Sequence, residues 1–104
     1  MQQAINRLDI LLALQSALLG EVYPSIRAVV YKYSSETKQF LLRYYLDREP
    51  IDDDYESAGN VVAEFISNFK FSDFDIVKEE CVYSNDPISM FDIMDGMVYC
   101  RKEA

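Results

Sequence analysis

The chain has 104 residues and a formal charge of −8 at pH 7; half of its residues are hydrophobic and 13% are aromatic. Residues 1–104 therefore read as a single domain able to bury a core, which excludes disordered, collagenous and low-complexity classes. The acidity argues against direct binding to nucleic acid or an anionic membrane, and the absence of histidine excludes Ser-His-Asp and Cys-His catalysis and every histidine-based metal site.

No apolar run reaches the roughly 18 residues of a membrane span. Residues 3–19 read as an amphipathic helix. Gln2, Asn6, Asp9, Ala13 and Ser16 form one polar stripe at helical spacing, and Ile5, Leu8, Leu11, Leu12, Leu18 and Leu19 lie off it as the packing face. Asp9, Gln15 and Ser16 interrupt what would otherwise resemble a signal-peptide core, and no small-x-small cleavage site follows. A cytoplasmic chain is expected. Gly20 suits the helix stop, and Pro24 bars its continuation.

Two strands are predicted next, over Ile26–Tyr33 and Gln39–Leu46. In the second, Phe40, Leu42, Tyr44 and Leu46 share one face, and Gln39, Leu41, Arg43 and Tyr45 the other. The polar residues 34–38 between them form a hairpin loop without the Asn-Gly that would fix its turn type. A second helix begins near Asp52 and runs to about residue 69, with Tyr55, Ala58, Val62, Phe65, Ile66 and Phe69 as its apolar repeat. Asp52, Asp53, Asp54 and Glu56 stand at its start, where carboxylates accept from free backbone N–H groups and oppose the helix dipole. A third strand is expected over Phe74–Tyr83, a turn at Ser84–Pro87, and a fourth strand over Met97–Lys102.

The element order is α-β-β-α-β-β. The simplest arrangement that buries both helical stripes is an α+β fold, an antiparallel sheet of about four strands with two helices on one face. Only the connection through the second helix is long enough to cross between hairpins. The apolar stretch Ile88–Asp95 has two readings. It is a short turn or extra strand closing the core, or it is an exposed surface of Met90, Phe91 and Ile93 rimmed by Asp86, Asp92 and Asp95.

Chemistry narrows quickly. Cys81 and Cys100, predicted on adjacent strands, lack a Cys-x-x-Cys and a secretory context, so they read as reduced thiols. Asp52-Asp53-Asp54 lacks the alternating ligands, glycine and terminal Glu of a calcium loop. No glycine-rich phosphate loop occurs. No catalytic residue, metal or cofactor is expected, and the chain does not read as an enzyme.

Charge is unevenly placed. Residues 1–46 carry +2, residues 47–95 carry fourteen acids against three bases, and residues 96–104 carry +1. The acidity is a property of the second half, as a solvated face or as a partner surface.

Three stretches carry a resemblance: Gly20-Glu21-Val22-Tyr23-Pro24-Ser25-Ile26-Arg27-Ala28-Val29; Leu41 to Pro50, followed by Asp53 to Ser57 and Val62-Ala63-Glu64; and Gly96 to Glu103. In this order the chain resembles small bacterial immunity proteins encoded beside contact-dependent growth-inhibition and related polymorphic toxins. The resemblance implies an inhibitor that binds the C-terminal domain of a cognate toxin in the cytoplasm; many such toxins are nucleases. Residues 85–95 depart most from the pattern, being more apolar, and such proteins vary where they touch the toxin. The expected contact residues are Asp47, Glu49, Asp52, Asp53, Asp54 and Glu56, with a second group of Asp86, Met90, Phe91, Asp92, Ile93 and Asp95. A different class of function, an adaptor or a homo-oligomer pairing through a sheet edge, remains open on the residues alone.

Overall fold

The computed structural model describes residues 5–103. Helix α1 spans Arg7–Leu18. Asn6 caps it, its side-chain oxygen accepting from the Asp9 N–H at 2.8 Å. Gly20 ends it in the left-handed conformation, φ 79°. Residues 2–4 of the expected polar stripe and helix lie outside the described residues. The burial of α1 differs from expectation. Ile10, Ala13, Leu14, Ala17 and Leu18 are buried, whereas Leu8, Leu12 and Leu19 face solvent. Two alanines on the inner face let α1 lie close against the second helix.

Strands β1 (Ile26–Ser34) and β2 (Gln39–Leu46) form the antiparallel hairpin. Its loop closes on Lys38 at φ 54°. The alternation of β2 holds: Phe40, Leu42, Tyr44 and Leu46 are all buried beneath the helices. Helix α2 spans Asp52–Ile66, β3 spans Ile76–Tyr83, and β4 spans Gly96–Cys100. Short 3₁₀ turns occupy Phe71–Asp73 and Ile88–Met90.

The fold is α+β in the expected order, but the sheet is mixed. Its strand order is β3-β2-β1-β4, and β3 runs parallel to β2. The reason is the connection. A crossover that carries a helix returns the chain to the starting end of β2, so the next strand repeats its direction. β4 then adds antiparallel to the far side of β1. Cys81 and Cys100 consequently lie on opposite edge strands rather than adjacent ones. Cys81 is buried and Cys100 exposed, both as free thiols. Burial pushes the Cys81 thiol up to about 12, which leaves it unreactive.

The main core lies between the helices and one sheet face. Phe40 is at its centre, stacked on Phe65 at 4.3 Å between ring centroids and flanked by Tyr31 and Phe74. A smaller core covers the opposite face: Ala28, Val30 and Tyr45 lie beneath Phe91, Met94 and Met97. A bulge between Ile26 and Ala28 creates it, setting Arg27 and Ala28 together toward this outer face.

β4 starts at a glycine for a steric reason. A Cβ on Gly96 would stand 2.9 Å from Tyr31 Cε1, and Tyr31 is wedged against Phe40. Gly96→Ala is expected to cost about 1–3 kcal/mol through overpacking. A urea titration would show this as a lower midpoint, and an unchanged midpoint would mean that Tyr31 moves freely.

Candidate partner-binding surface

The second helix begins with three aspartates, and the structure gives them different work. Asp54, at the third helical position, is 1% exposed. Its carboxylate accepts from the Ile51 N–H at 2.8 Å, the Tyr23 hydroxyl at 2.6 Å, and Arg48 Nη1 and Nη2 at 2.6 and 3.0 Å. The Arg48 guanidinium, with these neutral donors, holds the carboxyl down to about 2. Burial and the same carboxylate push the Tyr23 phenol upward. Asp54 therefore joins the 20–24 segment, residue 48 and the start of α2, and has no surface to offer a partner. Asp52, Asp53 and Glu56 are exposed on the same helix turns and enter no ion pair among the described residues. Glu49 is exposed just before them. Asp47, also exposed, receives Arg101 at 2.7 Å. Of these exposed acids Asp53 lines an open hollow, together with Glu21, Tyr23, Arg48, Ile51 and the buried Asp54.

The second expected group lies on the outer sheet face, built around Arg27. That guanidinium is 6% exposed. Its Nε and Nη2 form a fork on the Glu103 carboxylate, both at 2.8 Å, and Nη1 donates to the carbonyls of Ser84 and Asp86 at 2.7 Å each. The cation also stands 4.9 Å from the centre of the Phe91 ring. Phe91 in turn stacks on Tyr45 at 4.1 Å. Phe91 is thus half-buried as the lid of the outer core, closing the sheet face, while its neighbours point outward. Met90 is 74% and Ile93 47% exposed.

The acids of this loop are exposed but partly committed. Asp92 folds back, its carbonyl accepting from the Tyr45 hydroxyl and its side chain from the Met94 N–H. Asp95 accepts from the Tyr33 N–H at 2.7 Å and so caps β1 beyond the end of β4. Asp86 lends its carbonyl to Arg27.

The twelve expected contact residues therefore divide. Those at the start of α2 belong to the helix-bearing side, and those of the 86–95 segment to the opposite side of the sheet. Sequence reasoning missed the exposed leucines of α1, having assigned them to the core. Among the described residues no group of three or more Cys, Asp or Glu is arranged to hold a metal ion, and no helix is long and apolar enough to cross a membrane.

The features on this chain that could do work are exposed carboxylates and scattered apolar side chains on rigid elements. They give a small α+β protein the kind of surface, charged with scattered apolar groups, that protein–protein contacts use. The chain belongs to the MafI2 immunity protein family, whose family model matches residues 7–103. Its function is accordingly immunity against a toxin. A comparison with characterised proteins finds no match.

Proposed function

We propose that the chain neutralises a basic toxin domain, a nuclease in the simplest case, by direct contact through the acidic start of α2. The observation that carries this reading is the set Asp52, Asp53 and Glu56: three exposed carboxylates without ion-pair partners among the described residues, on one rigid helix end. Glu49 extends the patch. An enzyme that cleaves a phosphodiester backbone needs cationic side chains, and an acidic surface is steered onto them and competes with the substrate. Met90 and Ile93 are the apolar anchors available for a second contact on the opposite side, with Asp86, Asp92 and Asp95 as its rim. Inhibition needs no cofactor, and the toxin's C-terminal domain is the partner.

The test is charge reversal with the cognate toxin domain. Asp52→Lys, Asp53→Lys and Glu56→Lys combined should slow association about tenfold or more at low salt and change dissociation little. Met90→Ala should instead speed dissociation. Wild-type association by the triple variant would remove this surface from the interface.

A further inference from the structure

The two edges of the sheet are treated differently. On one side β4 is short. Gln15 of α1 donates to the outward Val98 carbonyl at 3.0 Å, and Asp95 caps the stretch of β1 that β4 does not reach. These are means of closing an edge. On the other side β3 offers eight residues with no strand beyond them among the described residues. The amides of Ile76 and Ser84 donate to carbonyls of Lys38 and Leu46 at either end of β2. Alternation therefore turns the N–H and C=O groups of Val77, Glu79, Cys81 and Tyr83 away from the sheet.

The side chains of this edge have a self-complementary order. On the outer face it reads Ile76, Lys78, Glu80, Val82. Lys78 enters no ion pair among the described residues, and Glu80 pairs with Arg43 of β2. We propose that the free edge of β3 pairs antiparallel with β3 of a second copy of this chain, about a two-fold axis through Glu79. In that register Lys78 stands opposite Glu80 of the second copy, twice by symmetry, and Ile76 opposite Val82, also twice. The outward backbone groups fall into hydrogen-bonding pairs: Glu79 with Glu79, and Val77 with Cys81. Each Glu80 then lies between Arg43 of its own sheet and Lys78 of the other. Moving the axis to residue 78 or 80 instead sets Lys against Lys or Glu against Glu. On the inner face Gly59 of α2 is the residue beside Glu79: a Cβ there would be 3.6 Å from Glu79 Oε1, an ordinary contact. The one opposing contact is Glu79 against its own copy.

Sedimentation velocity on the full chain without toxin tests this. Wild type should show a concentration-dependent dimer, and Glu79→Gln should tighten it. Lys78→Glu and Glu80→Lys should each weaken self-association about tenfold or more, since two attractive pairs become repulsive. Circular dichroism would confirm that both variants keep their fold. Mixing the two variants should restore the dimer, because both cross-strand pairs are then opposite in charge. A wild type that stays monomeric throughout, or a Lys78→Glu variant that dimerises normally, overturns the pairing. So does an edge whose β3 amides gain exchange protection only when the toxin domain is added. Reversing charge at Asp52, Asp53 and Glu56 should leave the dimer unchanged, which separates this proposal from the toxin-docking surface.

Discussion

Arg27→Met should be the most damaging single change in the outer half of the molecule, costing about 3–5 kcal/mol. The methionine keeps the stem and much of the contact with Phe91 but removes every donor. Glu103 loses its fork, and the Ser84 and Asp86 carbonyls lose the cation that ties their turn to β1. With that anchor gone, Phe91 is held over Tyr45 by stacking, the methionine stem and the Tyr45 hydroxyl on the Asp92 carbonyl. Chemical denaturation should show the loss as a lower midpoint. Amide exchange should rise first in residues 84–95, ahead of the hairpin. A variant within about 0.5 kcal/mol of wild type, the range of an ordinary surface change, would show that the outer face closes without this hub.

Asp54→Ala should cost about 3 kcal/mol, the lower end of the range for breaking a buried ion pair. It falls there because the Arg48 side chain is 39% exposed and can turn to water when its partner is gone. The Tyr23 hydroxyl and the Ile51 N–H lose their acceptor in the same step. Asp54→Asn keeps an acceptor and should lose less.

The same carboxylate sets an acid limit. It titrates near 2 in the folded chain against an ordinary value of 3.8. Its contribution is therefore complete above about pH 4 and is lost as the pH falls through 2. Glu103, held near 2 mainly by the Arg27 guanidinium, acts in the same direction. Stability should fall between pH 4 and 2 in wild type and fall less in Asp54→Asn. Parallel acid curves for the two would assign the acid limit to other groups.

The neighbours of Asp54 show what the sequence could reveal. Three consecutive aspartates are alike in one dimension. Only the phase of the helix, with Tyr23 and Arg48 converging from other segments, makes the third one structural and leaves Asp52 and Asp53 for solvent. β2 was legible because a strand that is buried on one face must alternate. α1 was not, because leucines surround it; contact with α2 chose the face with Ala13 and Ala17, since small side chains permit close approach. The direction of β3 was also hidden, as it depends on where the crossover through α2 sets the chain down rather than on its own residues. The outer core depended on the bulge at Arg27, which inserts one residue into the pairing and has no signature in composition. The acidic bias of residues 47–95 was plain, but its division between the two sides of the sheet was a property of the fold alone.

The fork between Arg27 and Glu103 also imposes an order on synthesis. The two residues are 76 positions apart. A growing chain that has completed the hairpin, both helices and even the Phe91 lid still holds a guanidinium facing the outer core with no carboxylate to meet it. That charge is neutralised only once Glu103 emerges. The stretch that carries Glu103 thus closes a sheet face whose first strand was made 76 positions earlier, and chains stopped short of it carry an uncompensated cation in place of a sealed face.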